Sequence, residues 1–341
     1  MRWTTKFLWH VILLVLTLTM LFIGAVSYYI VYAGLHPSRT DEKQTLSYMY
    51  SEYPFLRPWM RSLERNSLLN ETTLLTPDSV LLHAYFIPAP HPTPNTAVVI
   101  HGHRACAFQM LHIAYMYQHD MKFNVLLPEL RTHGKSGGTH IQMGWNDRKD
   151  IQLWLQSLCK GTIGHKVSPD GKDLKEATMG ENPEKARIVV HGISMGAATV
   201  MTLAGDETPE NVKCFVEDCG YTSVWDEFAY VAKHNYNAPA FPFMHIANQI
   251  CRWQYGWDFR EASPLEQLRK SIKPMLFIHG TEDHYVPTRM VHELYRAKPR
   301  NKAIWEAPGS RHAYSYHDHR REYTHQVSAF VKSYFYKQKN K

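Results

Sequence analysis

From Arg187 to Leu203 an apolar run, RIVVHGI, passes through Gly192-Ile193-Ser194-Met195-Gly196 into a stretch of small residues, AATVMTL. A strand that is apolar on both faces must be covered on both faces, which places it inside a parallel sheet flanked by helices. A turn this tight, followed at once by a helix, tolerates only small flanking residues, here Gly192 and Gly196. It lifts one side chain, Ser194, clear of the sheet at a helix N-terminus. The rest of the chain repeats the strand–helix alternation. Strands are predicted at Val80–Phe86, Thr96–His101, Phe123–Pro128, Arg187–His191, Val212–Glu217, Pro274–His279 and Lys302–Glu306. Helices are predicted over Ala105–Gln118, Asp147–Cys159, Ser194–Leu203 and Arg320–Tyr336. That pattern is an α/β domain with a mostly parallel sheet.

Two segments interrupt the alternation. Gly161–Lys185, rich in charge, Gly and Pro, reads as a solvated loop. Thr222–Ile272 holds ten aromatic residues in 51, and its place between two strands predicts a cap-like insertion over the sheet end where strands finish. Charge and composition exclude other classes. The 341 residues are 44% hydrophobic and 20% charged, which is neither disordered nor fibrous. A mean hydropathy of −0.38 rules out a polytopic membrane protein. The net charge of +7 is scattered and no nucleic-acid-binding motif occurs, so no nucleic-acid partner is expected. Five cysteines (Cys106, Cys159, Cys214, Cys219 and Cys251) show no CxxC spacing, so they read as small buried hydrophobes rather than disulfides or a zinc site.

From Phe7 to Ser38 there is no Asp, Glu, Lys or Arg. The run exceeds the roughly 20 residues that cross a bilayer as a helix, and Trp3, Trp9, Tyr28, Tyr29 and Tyr32 cluster at its ends as interfacial aromatics do. A cleaved signal peptide is the competing reading, with Ala25-Val26-Ser27 as a cleavage site, but an apolar signal core is usually about half this length. Residues 1–38 are therefore expected to be a single-pass membrane anchor, 39–75 a connector with short helices, and 76–341 the α/β domain with its insertion at 222–272. Arg2 and Lys6 on one side nearly balance Arg39 and Lys43 on the other. The short N-terminal tail favours a domain outside the cytoplasm.

A serine hydroxyl attacks only if a base takes its proton, and the base needs an orienting acid. Downstream, the strand PMLFI ends in His279-Gly-Thr-Glu-Asp283, and after the last strand Pro308-Gly-Ser-Arg-His312 brings an imidazole to the same edge. The order Ser194, Asp283, His312 fits the hydrolase topology. Alternatives stay open: His317, His319 and His325 lie in or beside the final helix, and Glu282 and Asp218 are rival acids. An oxyanion needs two amide donors. Met195 follows the nucleophile, and His103 follows Gly102 in the loop after the strand VVIH. The group His312, His317, Asp318 and His319 lacks the spacing of a metal site, and none is expected.

The strand-His-Gly loop, GISMGA, HGTEDHYVP and GSRH together resemble the α/β-hydrolase superfamily. Leu130-Arg-Thr-His-Gly-Lys-Ser136, Gly144-Trp-Asn-Asp-Arg148 and Glu217-Asp-Cys-Gly-Tyr-Thr-Ser223 resemble its membrane-anchored bacterial members of the esterase or prolyl-oligopeptidase-like type. The resemblance covers residues 75–338. It implies an eight-stranded sheet, a cofactor-free mechanism, and Ser194, Asp283 and His312 as the triad. The loop Gly102-His103-Arg104 departs from the three-glycine type of many lipases, which argues against a lipase. The expected activity is hydrolysis of a carboxylic ester with an apolar or aromatic group through an acyl-enzyme. The alternatives are a peptidase or acyltransferase with the same triad, and a silent binding module.

Overall fold

The computed structural model describes residues 2–37, 40–163, 166–167, 173–174 and 185–336. The strands are β1 (Asn70–Leu75), β2 (Leu81–Ile87), β3 (Asn95–Ile100), β4 (Asn124–Glu129), β5 (Lys166–Val167), β6 (Asp173–Leu174), β7 (Arg187–Ile193), β8 (Val212–Asp218), β9 (Met275–Gly280) and β10 (Lys302–Ala307). Eight of them form one sheet in the order β1-β2-β4-β3-β7-β8-β9-β10. From β4 to β10 every neighbouring pair is parallel, and β2 runs antiparallel to both of its neighbours. The chain thus has the expected eight-stranded, mostly parallel α/β-hydrolase sheet. β3 is buried at all six positions and β9 likewise, as central strands covered on both faces must be. β5 and β6 pair as a separate ribbon inside the Gly161–Lys185 segment, most of which lies outside the described residues.

The helices are α1 (Arg2–Leu35), α2 (Glu42–Glu52), α3 (Leu56–Arg65), α4 (Leu111–Tyr115), α5 (Asp147–Cys159), α6 (Met195–Ala204), α7 (Val224–Tyr236), α8 (Phe243–Tyr255), α9 (Pro264–Leu268), α10 (Arg289–Ala297), α11 (Ser315–Asp318) and α12 (Arg320–Phe335). The helix predicted over Ala105–Gln118 is three successive geometries: a 3-10 turn at Ala107–Met110, α4, and a π turn at Met116–Asp120.

The chain divides into two compact units. One comprises Met1–His36 with Ser223–Ala262, the other Pro37–Thr222 with Ser263–Lys341. In the sheet unit one face carries Ala97, Val99, Val125, Leu127, Val189 and Val216, covered by Val327 and Val331 of α12 and by Leu56, Trp59, Met60 and Leu63 of α3. Residues 39–75, expected as a connector, therefore supply α2, α3 and the first strand, with α3 in the core of the sheet unit. The expected insertion at 222–272 is itself divided: α7 and α8 group with α1, whereas α9 belongs to the sheet unit. In α1 every residue from Thr5 to Phe22 is exposed, the pattern of a helix whose apolar surface has no protein cover. The basic tail Lys337, Lys339 and Lys341 lies outside the described residues.

Candidate active site

Ser194 sits between β7 and α6 with φ 58° and ψ −118°, a conformation that an L-residue adopts only when its surroundings hold it there. Its amide donates to the Asp218 carbonyl at 2.8 Å, which ties the turn to the next strand. The turn is closed by contact between backbones. A Cβ on Gly192 would lie 2.7 Å from the Ala197 nitrogen, so the residue must be glycine. Met195 is the first residue of α6, and the first amides of a helix have no partner within it. Its N–H is therefore available to an anion above Ser194. On the other side, a Cβ on Gly102 would be 3.4 Å from the Ser194 Cβ, so the Gly102-His103 loop lies directly against the serine.

The acid and the imidazole come from loops laced to each other. The Thr281 and Glu282 amides donate to the carbonyls of Ala307 and Ser310, and Gly309 N–H donates to Thr281 Oγ1. These bonds join the loop after β9 to the loop after β10. His312 Nδ1 lies 2.7 Å from Asp283 Oδ2, and His312 Nε2 lies 2.9 Å from Ser194 Oγ. A carboxylate only accepts, so Nδ1 carries the proton and Nε2 presents its lone pair to the serine hydroxyl. Burial alone would raise the Asp283 carboxyl, but the contacts from His279 and His312 outweigh it and hold the group well below the usual carboxylate range. Its other oxygen accepts the Tyr285 and Val286 amides, each at 2.9 Å. The rivals go elsewhere. His317 pairs with Asp318, His319 Nε2 donates to the Pro308 carbonyl, and His325 is exposed near Glu322. Glu282 is paired with His284, and Asp218 accepts from Ser315 and Tyr323.

Three supporting histidines carry no signal in the sequence that sets them apart. His279 Nε2 lies 2.9 Å from the Val286 carbonyl and 3.3 Å from Asp283 Oδ2, which makes it a second imidazole on the acid. His101 donates from Nδ1 to the Gly102 carbonyl and accepts the Leu130 N–H at Nε2. His133 donates from Nδ1 to the Arg131 carbonyl and accepts the Arg104 N–H at Nε2, 3.1 Å away. Burial, helped by nearby His101, pushes His133 down to about 3, so it is a neutral acceptor throughout the working range. His101 and His133 together fasten the 102–104 loop to the loop after β4. The motif LRTHGKS thus shapes the loop beside Ser194. We expect His133→Leu to lower kcat roughly ten- to hundredfold with little change in KM, because it removes the acceptor of the Arg104 N–H and frees the loop. His133→Gln, whose amide oxygen can accept the same N–H, should recover most of that loss in steady-state assays.

A cleft of about 300 Å³ opens beside Ser194 and His312, walled by Tyr48, Met49, Tyr53, Met110, Tyr285 and Tyr314, with His103 also in its lining. Tyr48 and Tyr314 meet across it with hydroxyls 3.2 Å apart. Among the described residues, no Asp, Glu, Lys or Arg lines it. The wall from α2 had a readable signal. Asp41 caps the amides of Lys43 and Gln44, and Leu46, Met49, Tyr50 and Tyr53 recur at helical spacing.

Behind the site, Glu217, the last residue but one of β8, is fully buried. One oxygen accepts the Gly220 N–H at 3.0 Å and the other has no hydrogen-bond partner among the described residues. Burial raises the carboxyl to about 8 against the pull of His279 and the Gly220 amide. A raised folded pKa means that the folded state binds the proton more tightly than the unfolded chain. The stability it contributes is complete below the ordinary glutamate range and is lost as pH rises through about 8. Glu217→Gln should therefore match the wild type in denaturant midpoint near pH 5 and exceed it near pH 9. Parallel pH profiles for the two proteins would show that Glu217 is charged in the fold.

Of metal-binding arrangements, one group of potential ligands stands out among the described residues: Cys219, Asp283 and His312, with ligand atoms within 4.8 Å of one another. Two of these are engaged in the chain described above. The five cysteines are free, four of them buried.

Residues 176–338 match the prolyl oligopeptidase family. An uncharacterized protein of Bacillus subtilis, YqkD, is 31% identical over 243 residues, 71% of this chain and 73% of that one. The chain belongs to the prolyl oligopeptidase family. It is accordingly a serine hydrolase. YfhR of Escherichia coli K12, also uncharacterized, is 26% identical over 262 residues, 75% of this chain and 78% of its own. Among solved structures, an esterase of Pyrococcus furiosus superposes with a TM-score of 0.60 at 21% identity, over 80% of this chain and 95% of that one. The acylaminoacyl peptidase of Pyrococcus horikoshii gives 0.55 at 15% identity over 80% of this chain and 43% of its own. Both share the family's α/β-hydrolase sheet.

Proposed function

We propose that this family member is a carboxylic-ester hydrolase in which Ser194 is the nucleophile, His312 the general base and Asp283 its orienting acid. The reading rests on a Ser194–His312–Asp283 chain of 2.9 and 2.7 Å beside a cleft rich in tyrosine and methionine and, among the described residues, free of Asp, Glu, Lys and Arg. His312 takes the serine proton as Oγ attacks the carbonyl. The amides of Met195 and His103 hold the oxyanion, and each such donor is worth roughly 3–4 kcal/mol of barrier. His312 returns its proton to the leaving alcohol. Water activated by the same imidazole then releases the acid. An uncharged, ring-lined cleft favours an apolar or aromatic substituent and offers no ion pair to a peptide terminus.

The test is turnover of p-nitrophenyl esters of graded acyl length against p-nitroanilides of the same acyl groups, with fluorophosphonate labelling of Ser194. Ester turnover at least a hundredfold above anilide turnover is expected. Labelling with preferred anilide cleavage would make the protein a peptidase, and labelling with neither turnover would make it an acyltransferase. We further read α1 as an uncleaved anchor that leaves the sheet unit outside the cytoplasm. A protease-protection assay on intact cells checks the side, and the N-terminal sequence of the mature chain checks cleavage.

A further inference from the structure

The unit formed by α1, α7 and α8 has a polarity pattern that a water-exposed unit would not need. From Thr5 to Phe22 all faces of α1 are exposed, and the side chains include Phe7, Trp9, Leu13, Leu14, Leu21 and Phe22. Eighteen helical residues rise about 27 Å, close to the roughly 30 Å of a bilayer's hydrocarbon layer. Beyond Phe22 the helix changes character. Ser27, Val31 and Leu35, spaced by four, are buried, and a Cβ on Gly34 would lie 2.6 Å from a ring carbon of Phe228 in α7. The bare part of α1 thus ends where protein packing begins.

α8 meets α1 at that boundary. Phe243, its first residue, packs edge-on against Phe22 with ring centroids 6.2 Å apart, and Tyr255, its last, lies within electrostatic reach of Tyr28. α8 therefore begins at the level where the bare part of α1 ends. Its buried face is Met244, Ala247, Asn248 and Cys251. On its exposed side Ile246 and Trp253 fall on one face two turns apart, and Phe241 precedes the helix. Trp253 is 88% exposed and Phe241 73%. Tryptophan left this bare in water is costly, and the membrane interface is where such amphipathic rings are at home. The nearby Arg252 is paired with Asp258 at 2.7 Å, so the face presents no uncompensated basic cluster.

We infer that α8 is a second, interfacial membrane contact, with Phe241, Ile246 and Trp253 seated at the headgroup–acyl boundary of the bilayer that α1 crosses. The contact is apolar in origin and so is indifferent to anionic lipid and to salt. It rests on the reading of α1 as an uncleaved anchor. The experiment uses the full chain in phosphatidylcholine vesicles, plain or brominated at a shallow acyl position, and compares wild type with Trp253→Phe. The substitution is at an exposed site, and circular dichroism checks that the fold is kept. The wild-type minus variant fluorescence is expected to fall roughly twofold or more in brominated vesicles, with or without added phosphatidylglycerol or salt. A chain that floats with the vesicles and resists alkaline extraction, yet shows the same difference spectrum in both lipids, overturns the α8 contact and leaves the anchor standing. A chain that fails to float overturns the anchor and the α8 contact with it.

Discussion

Ser194→Ala and His312→Ala are each expected to lower ester kcat by about 10⁴- to 10⁶-fold while leaving the fold intact, and the double variant should be no slower than either alone. On the proposed mechanism the two side chains act as one unit. Without Oγ there is nothing for the imidazole to deprotonate, and without Nε2 the hydroxyl keeps its proton. Asp283→Asn should cost about 10⁴-fold by a different route. Its amide would offer hydrogen to Nδ1 in place of accepting it, so the imidazole would turn its protonated nitrogen toward Ser194. Residual turnover in all three should persist above the uncatalysed rate, because the Met195 and His103 amides remain. Steady-state kinetics with an ester substrate, plus a fluorophosphonate trace, check this. Additive losses in the double variant would break the assignment of the pair as a single device.

Gly196→Ala is expected to be as damaging by destroying the fold instead of the chemistry. The added Cβ would lie 2.7 Å from the His101 carbonyl oxygen, 2.8 Å from the Ile100 carbonyl carbon and closer still to the Ile100 oxygen. Those atoms are backbone at and just past the end of the central strand β3 and cannot swing aside as a side chain would. Overpacking against a rigid core costs about 1–3 kcal/mol and more where backbone must move. A loss beyond about 3 kcal/mol is expected here. Gly24→Ala, where no atom lies within 4 Å, is the neutral control. Thermal melts of the two proteins decide it. A Gly196→Ala protein as stable as wild type would mean that α6 can slide away from β3.

Much of the fold and of the candidate site was readable because its signals are local. A central strand is apolar throughout, as in VVI of β3 and MLFI of β9, so its position follows from composition within a few residues. Ser194, Asp283 and His312 each follow such a strand in a turn, and turns announce themselves through Gly, Pro and Asp. β1 escaped notice because NETTLL buries only Thr72 fully; an edge strand with one covered position has no apolar pattern to read.

The chain order of strands and helices, the serine elbow and the apolar reach of α1 were determined by the sequence alone, since each depends on neighbours within a turn or two. Only the tertiary structure decided that His312 rather than His317 or His319 meets Asp283, that His133 and His101 fasten the loop beside Ser194, and that α2 walls the cleft. Those outcomes join residues tens to hundreds of positions apart. A histidine carries no mark of its partner until packing brings the two within hydrogen-bond reach.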